Sequence, residues 1–133
     1  MQAKLRVATQ RQTEMVDITR QIQEALAGRT SGTGVCHVYV PHTTAGVTIN
    51  EAADPDVVID LLTALDRLVP RTAAYRHAEG NADAHIKTAL VGTSAHVPVD
   101  NGRLVLGTWQ GIFLCEFDGP RVREVWLRML AEH

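Results

Sequence analysis

Apolar and polar residues alternate along much of this chain, and the period of the alternation changes at definite places. A period of two sends successive side chains to opposite faces, as a strand requires. Residues 4–9, 14–16, 35–40, 95–99, 103–109 and 112–117 carry that period, and residues 47–49 resume an extended run after the break at Pro41. Three other segments recur at helical spacing. Ile18, Ile22, Ala25 and Leu26 mark a helix over 18–27, with Asp17 as its cap and Gly28 as its stop. Asp54 followed by Pro55 opens a second, because the carboxylate accepts an orphan amide and proline suits the first helical position. Its stripe is Val58, Leu61, Leu62, Leu65 and Leu68, and Pro70 ends it. The third helix lies in NADAHIKTALVG, from the cap Asn81 to Gly92. Residues 122–130 suit either a strand or a helix.

Residues 71–80 lose all periodicity and predict a loop carrying Tyr75, Arg76, His77 and Glu79. Asp100, Asn101 and Gly102 predict a hairpin turn. Strands outnumber helices and do not alternate with them strictly. The expected fold is α+β: a largely antiparallel sheet or sandwich with two or three packed helices, as a single compact domain over residues 1–133.

Composition narrows the function classes. A chain of 133 residues buries a core without disulfide or metal staples. A formal net charge of -2 gives no electrostatic reason to expect nucleic acid or an acidic membrane as partner. No apolar run reaches membrane-spanning length and MQAKLRVATQ lacks a secretory signal, so a cytoplasmic location is expected. Cys36 shares a strand face with Val38 and Val40, and Cys115 with Phe113 and Phe117, which predicts buried, reduced thiols. With no CxxC pair, zinc-finger and dithiol redox chemistry drop out.

Candidate chemistry rests mainly on histidine, which titrates near neutral pH and ligates metals when neutral. Of six histidines, His42 sits where a strand breaks, His77 in the irregular loop and His85 near a helix start. A helix N-terminus disfavours protonation of a nearby imidazole, so His85 suits a ligand or base. Asp83 places a negative charge at the same helix end and would offset an anion there unless it binds a cation. The bland alternative is that Asn81 and Asp83 cap the helix while His85 is half buried. In PHTTAGVTINEAADP, His42 and Glu51 flank the short strand and would stand roughly 30 Å apart if the chain were fully extended. Sharing a site within one chain would require a fold-back or bulge, which Gly46 permits. Otherwise Glu51 is a solvated charge before a helix and His42 a turn histidine bonded to a threonine hydroxyl. Trp109 and Gln110, between two glycines, read as either core filler with a solvent-facing amide or a pocket wall. His37, His96 and His133 read as structural or exposed. Ser94, His96 and Asp100 lack the elbow and oxyanion signature of a hydrolytic triad.

VYVPHTTAGVTINEAADPDV, HAEGNADAHIKTALVGTS and GRLVLGTWQGIFLCEFDGPR together resemble the YjbQ-like family of small bacterial and archaeal proteins. The resemblance covers about residues 38–121 and rests on the order and spacing of all three stretches. It implies a homotrimer with a histidine cluster and often a metal, and a thiamine-phosphate synthase activity of secondary standing. That reaction joins a pyrimidine pyrophosphate to a thiazole phosphate. Carried onto this chain, it implies a divalent metal on His42, His77 and His85, with zinc or another transition metal favoured over magnesium. Magnesium would draw instead on Glu51, Asp54 and Asp83. Glu51, Asp83 and His85 are then the expected catalytic residues, and Thr43, Thr44, Asn81, Trp109 and Gln110 the expected contacts to a small phosphorylated metabolite. Two other readings stay open: a metal-dependent hydrolase of phosphate or ester substrates, and a non-catalytic binding module for a phosphorylated metabolite.

Overall fold

The period-two runs pair antiparallel throughout and build two sheets. The structure, a computed structural model, describes residues 1–132. Along the chain lie β1 (Gln2–Ala8), β2 (Glu14–Asp17), α1 (Thr19–Ala27), β3 (Gly34–Tyr39), β4 (Ala45–Glu51), α2 (Pro55–Leu68), α3 (Ala82–Val91), β5 (Ser94–Asp100), β6 (Arg103–Leu104), β7 (Gln110–Glu116) and β8 (Val122–Ala131). The five-stranded sheet has the order β1-β8-β3-β5-β6, and the three-stranded sheet β2-β7-β4. The expected α+β architecture is what forms.

The two sheets share one core. Val7, Cys36, Val38, Val97, Val125 and Leu127 from the larger sheet meet Ala45, Val47, Ile112 and Leu114 from the smaller, with Ile22 and Leu26 of α1 in the same cluster. The opposite face of the smaller sheet carries Cys115 and Phe117, which pack with Ala84 of α3 and with Leu62 and Leu65 of α2. Both cysteines are free and buried, as their strand parity predicted. Burial pushes the Cys36 thiol up to about 11 and that of Cys115 to about 12, so neither supplies a thiolate near neutral pH.

Local chemistry explains the element ends. Asp54 accepts the Asp56 amide at 3.0 Å ahead of Pro55, as expected for α2. Asp17 accepts both the amide and the hydroxyl of Thr19, which delays the start of α1 to Thr19. Asn101 and Gly102 adopt φ of 49° and 78°, the left-handed pair that a two-residue hairpin between β5 and β6 needs.

Two expectations change and one open alternative is resolved. The run over 103–109 pairs only at Arg103 and Leu104, because the Gln110 amide turns back to Gly107 O and the Gln110 side chain accepts the Gly107 amide. Residues 122–130 form a strand, held between β1 and β3 on both edges. β4 is longer than expected and passes through Gly46 without a bulge, in register with Cys115. Gly46 serves close approach instead of fold-back: a Cβ there would stand 2.4 Å from Gly92 O. The expectation for His133 lies outside the described residues.

Candidate functional site

The strongest polar grouping is buried between the sheets. Glu116 has the inward parity of Ile112 and Leu114 on β7, and Arg123 that of Val125 on β8, so opposite charges meet where two apolar faces close. Arg123 Nε donates to Glu116 Oε1 at 2.9 Å, and its Nη2 donates to Glu116 Oε2 and to Thr44 Oγ1 at 2.8 Å. Thr9 Oγ1 and the Asp118 amide also donate to the Glu116 carboxylate, at 2.7 and 3.0 Å. Burial works to raise the Glu116 pKa, but the donors from Arg123, Thr9 and Asp118 outweigh it and hold the carboxyl below its ordinary value.

His42 lies beside this ion pair. Its Nε2 accepts the Glu124 amide at 3.0 Å, which assigns the ring proton to Nδ1 in the neutral form. Burial and then the Arg123 charge lower its pKa, against weaker opposing effects of the Glu116 and Glu124 charges. The network continues outward through Asp118, whose carboxylate accepts Asn81 Nδ2 at 2.9 Å and Arg121 Nη2 at 3.0 Å. Asn81 therefore points its amide at β7's end and gives α3 no side-chain cap, while its Oδ1 is buried and without a partner among the described residues.

A groove opens beside the start of α3. Tyr75, Arg76, His77, Ala82, His85 and Ile86 line about 370 Å³. The His77 and His85 rings approach edge to face, with centroids 5.2 Å apart and planes at 81°, and Glu79 Oε2 lies 3.7 Å from His77 Nε2. An aromatic ring, a guanidinium and two imidazoles thus share one small concavity of the scale that takes a heterocycle.

The expected site residues divide into groups. His77 and His85 come together; His42 does not join them, and among the described residues no three His, Cys, Asp or Glu side chains are grouped to hold a metal ion. Asp83 is a buried partner of Lys87, whose Nζ lies 3.1 Å from Asp83 Oδ2 and 2.6 Å from Asp66 Oδ1. The cation that neutralises the helix-end carboxylate is therefore this ammonium. Glu51 sits opposite Gln110 at the far end of β4, about 20 Å of strand beyond Ala45. Its carboxylate accepts the Ala53 amide at 3.2 Å, a turn role. Trp109 is 64% exposed at that same end, and its carbonyl accepts the Ala52 amide. Thr44 is consumed by Arg123, while Thr43 is exposed. Ser94 bonds His37 Nε2 at 3.3 Å across strands, away from any triad geometry. Glu116, Arg123 and Lys87 were not anticipated, although inward parity of Glu116 and Arg123 along β7 and β8 is a readable signal.

Fold and site define a small α+β protein with an imidazole pair in a surface groove and a buried ionic staple between its sheets. The chain belongs to the UPF0047 protein YjbQ-like family, whose model matches residues 3–132. The UPF0047 protein YugU of Bacillus subtilis is 50% identical over 128 residues, 96% of this chain and 97% of that one. A UPF0047 protein of Methanocaldococcus jannaschii is 46% identical over 129 residues, 97% of this chain and 94% of its own. Among solved structures, a conserved hypothetical protein of Thermus thermophilus superposes with a TM-score of 0.91 at 48% identity, covering 96% of this chain and 99% of the other. A YjbQ/UPF0047 family protein of Clostridium acetobutylicum gives 0.93 at 44% identity, with 96% and 99% covered.

Proposed function

We propose that the protein is a metal-assisted transferase with thiamine-phosphate synthase-like activity, built around the His77–His85 groove. The observation that carries this reading is the convergence of the two imidazoles with Arg76 and Tyr75 in one concavity. Arg76 suits a phosphate oxygen through its planar donors, and Tyr75 supplies a flat wall for a heterocycle. His77 and His85 fit two positions of a transition-metal shell, the borderline-soft donor set that favours zinc over magnesium. When bound, such a cation neutralises a departing pyrophosphate. One chain supplies two imidazoles, so the remaining positions fall to substrate or to a second copy, and a homotrimer is the assembly we propose. Supporting it, none of the α2 residues is buried in the single chain although the helix is amphipathic. Glu51, Trp109 and Gln110 lie at the other end of the smaller sheet, and belong to this site only if a neighbouring copy brings them to it.

The test incubates the purified protein with the pyrimidine pyrophosphate and the thiazole phosphate under saturating zinc, manganese or magnesium. The expected result is protein-dependent thiamine phosphate, lost together with bound metal in His85→Ala. No product above a protein-free control with metal saturated overturns the reading. In that event turnover on a phosphoester panel selects the hydrolase alternative, and tight binding of a phosphorylated metabolite without turnover selects the binding module.

A further inference from the structure

Among the described residues no helix covers the outer face of the five-stranded sheet, and that face carries an unusual set of side chains for an exposed sheet surface. Strand register places Lys4, Trp126, Tyr39 and Ser94 in one row across β1, β8, β3 and β5. The next row is Gln2, Arg128, His37 and His96. Since Trp126 and Arg128 are two apart on one strand, and Tyr39 and His37 two apart on the next, all share the outward face. Two of the chain's four Trp and Tyr residues therefore sit side by side in solvent, 37% and 38% exposed, with centroids 5.9 Å apart. His37 stacks on His96 at 4.9 Å and approaches Tyr39 at 6.0 Å, which extends the π surface.

Around the aromatic pair this face is concave and lined by cations. It forms a depression of about 770 Å³ whose lining includes Lys4, Arg29 and Arg128 and no carboxylate. In a chain of net charge -2, that is a local inversion of sign. Among the described residues, none of the three cations is in an ion pair; Arg128 Nη2 donates to Gln2 Oε1 and Arg29 Nη1 to Ala25 O, while Lys4 Nζ lies 4.9 Å from the Trp126 ring centroid. Packing within the monomer does not require this combination, because the core faces of the same strands are already complete.

We propose that this depression binds a free nucleotide, a planar heteroaromatic base carrying phosphate, with the base against Trp126 and Tyr39 and the phosphate toward Lys4 and Arg128. Aromatic faces stack any base, and unpaired cations receive its phosphate charge. The site lies on the opposite sheet from the His77–His85 groove and is independent of the reaction proposed there. Concavity favours a small ligand over an extended strand.

The experiment is isothermal titration of AMP and ADP, without added metal, into the full chain and into Trp126→Leu and Lys4→Glu/Arg128→Glu variants whose melting temperatures are checked first. Expected are saturable binding that weakens as salt rises, and a loss of roughly tenfold or more in affinity in Trp126→Leu, the scale of one lost stacking contact. The charge-reversed variant should bind neither nucleotide. If Trp126→Leu does not fold, the charge-reversed variant and Tyr39→Ala carry the test. No binding, or binding unchanged by these substitutions, overturns the proposal. So does binding of an eight-residue single-stranded RNA with no binding of mononucleotide, which would assign the face to nucleic acid. Loss of self-association in Trp126→Leu without nucleotide binding to the wild type would assign it to a second copy.

Discussion

Arg123 Nε reaches Glu116 Oε1 at 2.9 Å and so ties β8 of the larger sheet to β7 of the smaller through the interior. Both side chains are buried, Glu116 completely. Breaking such a pair from one side leaves a charge in a medium that cannot solvate it, which costs about 3–5 kcal/mol. Arg123→Met is expected to lose stability on that scale by urea denaturation at fixed protein concentration. Adding Glu116→Leu to it should recover a substantial part, because the stranded carboxylate is then gone. A loss below about 1 kcal/mol in Arg123→Met, the size of an exposed pair, would show that water reaches Glu116.

The same cluster sets a pH dependence. Unfolded His42 takes up its proton near 6.5, and the folded ring does so at lower pH because burial and Arg123 oppose the charge. Between those two values the unfolded chain binds more protons, so acidification favours unfolding. His42's contribution is complete above about pH 6.5 and declines as pH falls toward the folded value. Glu116 adds a lower window: its stabilisation is present above its ordinary value of 4.5 and is lost as pH drops through the depressed folded value. Denaturation midpoints from pH 7.5 downward should fall in wild type. In His42→Gln the decline starting near 6.5 should shrink while the lower one persists; an identical profile in both proteins would remove His42 as the cause.

Much of this fold can be read from periodicity, and the exceptions have physical reasons. Antiparallel strands at 35–40, 95–99 and 112–117 follow from parity alone, as do the buried thiols of Cys36 and Cys115. The run at 103–109 fails because hydrogen bonds within Gly107–Gln110 compete with the ladder, a choice parity cannot reveal. Gly46 could have signalled a bulge or a close approach, and only the neighbouring Gly92 carbonyl decides between them. At the candidate site, loop and helix-start positions identified His77 and His85. Asp83 reads from sequence as a helix-end charge because its partner Lys87 sits one turn further along α3, at a spacing usually read as a surface pair. His42 and Glu51 frame β4, yet an unbent strand keeps them at opposite ends.

Lys87 itself gives a sharp contrast. Its side chain is 1% exposed, and it holds Asp83, also buried, and Asp66, which is 66% exposed. Burial lowers the lysine pKa, but bonds to Asp66 and Asp83 overcome that and leave it raised, so the ion pair holds the ammonium form. Lys87→Met strands Asp83 and is expected to cost about 3–5 kcal/mol. Asp66→Asn alters only the solvent-side partner and should cost about 1 kcal/mol or less. Equal losses in calorimetric or denaturant measurements of the two variants would mean that Asp66, not Asp83, carries the interaction.

The last prediction concerns α2. Its stripe touches the body through Leu62 and Leu65, yet no residue of the helix is buried, and Ile59 and Leu68 are 58% and 74% exposed. In an isolated chain, a polar substitution at either exposed position changes stability by no more than about 0.5 kcal/mol. In the proposed homotrimer, a charge there would be desolvated against another copy, and the effect should appear as dissociation. Sedimentation velocity at micromolar concentration is expected to show a trimer for wild type and smaller species for Ile59→Lys and Leu68→Glu, with melting temperatures that become concentration-dependent. A wild-type monomer would remove the homotrimer. An intact trimer in both variants would place its contacts away from this helix, and the exposed stripe would then need a different partner.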